Sequence, residues 1–261
     1  MAGQIPLILL NALPASGKSE VITFLQDLPD DVRQRDYHLG KFLAIDDFPD
    51  LHTMQVMDDA RQIFGMPRVH FEPQSTGGAM VDDRVWLILI EMLNAHYRNL
   101  LAKNPRLFDT HTLLVEFARG DKKDQALPLP YGYERCYAAL DSDILRRASI
   151  LYIKVSPAES RRRNIRRADP KDPGSLLKHG VPETQMERWY GKDDIGYLTE
   201  KGPAGSVRVK DFTLPIGVFD NEEEKTAFIH DPKPWKPADC DRLGGALKAA
   251  LDGIWKKLQT R

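Results

Sequence analysis

A phosphate group carries dense negative charge, and backbone N–H groups can surround it only where side chains are small or absent. The run Ala12-Leu13-Pro14-Ala15-Ser16-Gly17-Lys18-Ser19 has that character. It fits the spacing G-x-x-x-x-G-K-[ST], in which the lysine serves the outer phosphates and the hydroxyl serves magnesium. Ala12 stands where the pattern has its first glycine. Alanine is the smallest substitute but disfavours positive φ, so a less open entry to the loop is expected. A Gly-Lys-Ser turn alone is common by chance; here it follows the apolar run Ile5 to Asn11, which has the look of a buried parallel strand. A helix is expected from about Gly17, with its positive N-terminus facing the anion.

Carboxylates and arginines elsewhere could serve the same chemistry. Phe42 to Ile45 reads as a second strand ending at Asp46-Asp47, and Thr112 to Phe117 as a third carrying Glu116. A buried strand-end carboxylate is costly unless paired or metal-bound, and magnesium takes oxygen ligands. Arg119 reads equally as a substrate contact or as the structural partner of Glu116. Asp46 has a plainer reading as a turn residue, since Asp-Asp pairs recur at Asp30-Asp31 and Asp58-Asp59. Ser156-Pro157-Ala158-Glu159 then combines a capping box with proline at the first helical position. In the helix it opens, Arg162 and Arg166 lie four residues apart, as do Arg163 and Arg167, close to an end where the dipole prefers acids. An anion would relieve that cluster, and guanidinium groups suit phosphate; the bland alternative is a solvated basic face.

These residues need a scaffold. A fourth strand is expected at Ser149 to Val155 and a fifth at Leu214 to Phe219. Val81 to Leu100 patterns as a helix on Val81, Val85, Ile88 and Met92, widened by Trp86, Leu89 and Leu93. A last helix carries Leu243, Leu247, Leu251 and Ile254. Residues 50 to 80 are hard to place, with Gly77-Gly78 marking a joint, and residues 169 to 206 read as an insertion. Strands alternating with helices imply a mostly parallel sheet covered on both faces, with ligands beyond the carboxyl ends of its strands. The 12–19 loop, Asp46, Glu116 and Ser156 all fall at such ends.

On these residues the chain, from about Ile5 to Thr226, resembles the P-loop kinases of nucleosides, nucleotides and other small metabolites. The resemblance implies a three-layer α/β/α sandwich with a mostly parallel sheet of about five strands. It implies one domain over 1–261, a helical lid within 157–206 and a Pro-rich segment and helix over 231–261. ATP would lie on Ala12, Pro14, Ala15, Ser16, Gly17, Lys18 and Ser19, with Arg163 and Asn221 also binding it. Mg²⁺ would be held by Ser19, Asp46 and Glu116. Lys18, Asp46, Arg162 and Arg166 would be catalytic, and Asp47, Glu116 and Arg119 would contact the acceptor. His179-Gly180-Val181-Pro182 and Tyr190-Gly191-Lys192-Asp193-Asp194 resemble a little-characterised group of P-loop proteins rather than a kinase of named substrate.

Composition bounds the alternatives. Hydrophobic residues make up 42% of 261, enough for a sizeable core. Lys+Arg at 37 against Asp+Glu at 38 gives a formal charge of -1, which argues against nucleic acid as the main partner. No run approaches the ~20 apolar residues that span a bilayer, and the chain reads as cytoplasmic. Cys136 and Cys240 read as free thiols, the histidines show no zinc spacing, and no nucleophile elbow occurs. The expected activity is γ-phosphoryl transfer from ATP to a small acceptor, nucleoside or nucleotide favoured. A regulatory ATPase with a protein partner and a nucleic-acid end kinase are the competing readings, and a homodimer is left open.

Overall fold

The computed structural model describes residues 3–73, 75, 78–167 and 180–260. Six strands form one sheet: β1 (Leu7–Ala12), β2 (Lys41–Asp46), β3 (His111–Phe117), β4 (Ala148–Lys154), β5 (Ser206–Val209) and β6 (Phe212–Asp220), in the order β2-β3-β1-β4-β6-β5. All neighbours are parallel except β5 and β6, which are antiparallel. The β5–β6 pair turns through Lys210, whose φ is 51°. The sequence leads to an expectation of five strands; the additional one, β5, shares only Ser206 with the Gly- and Pro-rich stretch 169–206 and follows directly on it.

Successive side chains of a strand point to opposite faces, and the core divides accordingly. Leu7, Leu9, Leu113, Val115, Phe117, Ile150 and Tyr152 pack on one face. They meet α4 (Val85–Lys103), α5 (Tyr133–Ala139), α6 (Ser142–Arg147) and α9 (Ile195–Lys201). Ile8, Leu10, Leu114, Leu151 and Ile153 pack on the other face, against α1 (Lys18–Asp27), α2 (Asp30–Tyr37) and α10 (Pro237–Leu258). The result is an α/β protein in three layers. The late part of the 157–206 segment belongs to the body of the molecule, since Ile195 and Leu198 of α9 are buried in the first core.

Within α4 the buried stripe is Val85, Trp86, Leu89, Ile90, Leu93 and Tyr97. Ile88 and Val81, expected on it, are exposed. The helix begins only at Val85 because Met80 bridges to Phe71 and Asp82 accepts the Arg84 N–H at 2.8 Å. The stretch around residues 50 to 80 carries α3 (Phe48–Ile63). Asp58 in this helix is buried and accepts N–H bonds from Val69, His70 and Phe71 at 2.7–2.9 Å. Burial pushes its carboxyl up, but those amides outweigh burial and hold it below the usual range. A third core of Met54, Phe71, Met80, Trp86, Leu89 and Trp189 results. Gly77 lies outside the described residues. Among the described residues no helix is long and apolar enough to cross a membrane; both cysteines are free thiols.

Candidate functional site

The chain leaves β1 for one edge of the sheet, returns through β3 and then crosses to β4 on the other side of β1. Such a reversal opens a crevice at the carboxyl ends of the strands. The 12–19 loop fills that position. Ala12 is the last residue of β1, buried and registered against Ile153. It is not left-handed, so alanine costs nothing there; the left-handed non-glycine residue of the loop is Ala15, at φ 54°. Gly17, at φ 105°, precedes the first residue of α1. A Cβ on Gly17 would come within 2.8 Å of Asn221 Nδ2 and 2.9 Å of Thr226 Oγ1, so glycine is required by space as well as by φ.

Three side chains hold the loop's carbonyl groups from outside. Ser160 Oγ donates to Pro14 O at 2.6 Å, Asn221 Nδ2 to Ser16 O at 2.8 Å, and the Tyr133 hydroxyl to Ala12 O at 3.3 Å. The N–H groups at the start of α1 have no partners within their helix. Ser16 Oγ is buried without a partner among the described residues. Lys18 is half-buried and Ser19 exposed, both at the wall of a cavity of about 480 Å³. A glycine cradle, an orphaned hydroxyl and a lysine at a helix start suit an anion chemically.

Asp46 and Glu116 are register partners at the ends of β2 and β3, and both line the cavity with Asp47 and Arg119. Glu116 is buried, and burial pushes its carboxyl up to about 7 against the opposing pull of Lys18. Asp46 Oδ1 accepts the Phe48 N–H at 3.1 Å, which turns the chain into α3. Arg119 pairs with Asp47 at 2.7 Å, both side chains being almost fully buried. Burial alone would lower Arg119; Asp47 more than compensates, and the guanidinium is held more firmly charged than in water. It also lies 4.5 Å from the ring centre of Trp86 and 5.2 Å from that of Phe117. Phe48, Leu51, Trp86, Trp189 and Tyr190 form the apolar wall. Trp86 and Trp189 stand edge to face at 5.6 Å, and also border a second cavity of about 380 Å³ beside Asp121 and Arg188.

The arginine helix α7 (Pro157–Arg167) turns a different face to the cavity from the one expected. Arg162 pairs with Glu159 at 2.6 Å, and Arg166 pairs with Glu224. Arg163 is buried, bonded to Glu159 and to the Asn221 and Glu222 carbonyls at 2.6–3.0 Å. None of the three lines the cavity, whereas Asn164 and Arg167 do. Asn164 forms a reciprocal pair with Val181, donating to its carbonyl at 2.7 Å and accepting its N–H at 2.8 Å. Asn221 is fully buried, braced by Lys225 N–H and directed at the loop backbone.

The structure therefore gathers Pro14, Ala15, Lys18, Ser19, Asp46, Asp47, Glu116 and Arg119 around one space. Asn221, Arg163 and Ser160 brace that space from behind. Of the two further motifs, Tyr190 faces the cavity, while Asp194 accepts the Tyr133 and Glu134 N–H groups at the start of α5 and Asp193 accepts the Tyr152 hydroxyl. Val181 and Pro182, just ahead of α8 (Glu183–Trp189), form part of the rim. His179, and residues 168–179 generally, lie outside the described residues. Sequence reasoning missed Ser160, Asn164, Tyr133 and the two tryptophans; the i, i+4, i+7 spacing of Ser160, Asn164 and Arg167 was the available signal. Among the described residues no three His, Cys, Asp or Glu side chains are grouped to hold a metal by themselves.

No family model matches the chain. No curated protein matches it either. A solved structure described as "Crystal structure of APE1195" aligns over 95% of this chain and 98% of its own, at 14% identity and a TM-score of 0.37. A likeness that loose carries no argument about the site. What stands is an α/β protein with a six-stranded, mostly parallel sheet between helical layers.

Proposed function

We propose that this chain is a P-loop phosphotransferase that moves the γ-phosphoryl group of ATP to a hydroxyl group of a small molecule. The observation that carries the reading is the single cavity onto which Lys18, Ser19, Asp46 and Glu116 open, with an apolar wall opposite. An anion seat beside a roomy cleft is what a transferase needs and a simple ATPase does not.

Lys18 and the N–H groups opening α1 would hold the nucleotide phosphates, and Ser19 with Asp46 or Glu116 would hold Mg²⁺. Bound ATP–Mg²⁺ supplies the phosphoryl group and the metal charge. Asp46, at the end of β2, accepts the hydrogen bond of the acceptor hydroxyl and so orients its oxygen. Lys18 offsets negative charge at the seat, and the tryptophan wall excludes water. Arg167, at the cavity, is the α7 arginine placed to contribute charge there. The test is transfer of labelled γ-phosphate from ATP–Mg²⁺ across a panel of nucleosides, nucleotides and sugars, beside Lys18→Ala. A labelled product absent from the variant supports the reading. ATP turnover with no labelled acceptor overturns it.

A further inference from the structure

We propose that the molecule filling the acceptor side of the cavity is a hydroxyl compound with a flat, apolar body and no negative charge, and so is not already phosphorylated. The proposal rests on the phosphotransferase reading for its orientation, with the nucleotide at Lys18 and the acceptor against the aromatic wall.

Charge bookkeeping carries the first half. A site that reads a phosphate monoester presents an uncommitted guanidinium or lysine. Among the described residues three cationic side chains line the cavity: Lys18 and Arg167, which the phosphotransferase reading assigns to the nucleotide, and Arg119, whose charge is committed to Asp47 at 2.7 Å, between the rings of Trp86 and Phe117. Lys18 belongs to the loop. What remains on that side is the adjacent pair Asp46 and Glu116. The Asp46 carboxylate repels a second anion, and both side chains accept hydrogen bonds from hydroxyl groups.

Shape and polarity carry the second half. Phe48, Leu51, Trp86 and Trp189 offer broad apolar surfaces, and Phe48 is stacked on His52 with ring centres 6.5 Å apart. Such surfaces favour a planar partner. Trp189 keeps a buried indole N–H that no described protein group accepts. A buried donor without a partner is costly.

The test is calorimetric binding to nucleotide-free protein of adenosine, uridine, pyridoxine and phenyl glucoside, each against its own phosphate monoester. The expected result is that at least one alcohol binds, roughly tenfold or more tighter than its ester. Phe48→Ala is expected to weaken that alcohol. Leu51→Lys, which sets a cation in the wall, is expected to shift preference toward the ester, with thermal unfolding measured beside it because Leu51 packs against the third core. An ester bound as tightly as its alcohol, above all one released by Arg167→Ala, overturns the proposal. So does the absence of alcohol binding, or alcohol binding unchanged in both variants. ATP binding, measured separately on wild type and Lys18→Ala, tests the phosphotransferase reading independently, so the two failures are distinguishable.

Discussion

Asp47 and Arg119 form an ion pair at 2.7 Å across the floor of the cavity, with both side chains withdrawn from water. Removing one partner strands the other charge in a medium that solvates it poorly. Asp47→Ala and Arg119→Ala are each expected to cost about 3–5 kcal/mol of stability, measured by urea unfolding. The double variant to similarly sized apolar residues is expected to recover much of that loss. Additive costs in the double-mutant cycle would show that the two charges do not depend on each other.

Ala15 and Gly17 make opposite demands at the loop. Ala15→Gly relieves a left-handed alanine and is expected to leave stability unchanged or raised by up to about 1 kcal/mol. Gly17→Ala brings a methyl group against Asn221 and Thr226 at an unfavourable φ. It is expected to destabilise the protein and to weaken anion binding, read by thermal unfolding with and without nucleotide. Ala12→Gly, within β1, is expected only to cost strand entropy, roughly 0.5–1 kcal/mol.

Glu116 gives the site a pH dependence whose sign follows from burial. Its carboxyl stands at about 7 in the folded chain against an ordinary 4.5. Between those values the native state binds the proton that the unfolded state has lost, so stability falls as pH rises from 4.5 to 7. Glu116→Gln removes that slope. The variant is expected to gain on wild type by on the order of 3 kcal/mol between pH 4.5 and 8, seen in paired denaturation curves. Lys18→Met removes the cation that opposes the shift, and carboxyl-carbon NMR is expected to show Glu116 titrating higher still.

The reciprocal Asn164–Val181 pair fastens the rim of the cavity to α7. Asn164→Ala deprives the Val181 N–H of its acceptor at 2.8 Å. Hydrogen exchange at the Val181 amide is expected to accelerate, and stability to fall by about 1–3 kcal/mol. Exchange unchanged in the variant would mean that other contacts hold the rim.

The buried elements were the readable ones. Ile5 to Asn11 announced β1 through an unbroken apolar run, and the glycine–lysine turn announced the helix after it. Asp46 and Glu116 were legible as strand-end acids because each follows such a run. Helical phase was harder: α7 carries arginine at five nearly adjacent positions, and charge alone does not say which face turns inward. Ser160 and Asn164 settled it through hydrogen bonds to residues 146 and 17 positions away. In α4 the apolar residues nearly encircle the helix, so the exposed Ile88 and the buried Leu89 look alike in sequence. The Asp58 amide clasp organises the stretch that resisted placement, and its partners lie 11–13 residues on with no periodic signal.

Trp86 and Trp189 stand at 87° to each other on the partition between two chambers. The other two tryptophans, Trp235 and Trp255, pack against the opposite face of the sheet. Nature has thus divided the chain's fluorophores into a reporting pair and a reference pair. Occupancy of either chamber is expected to change the emission of the first pair more than that of the second, giving the protein an optical gauge that needs no label.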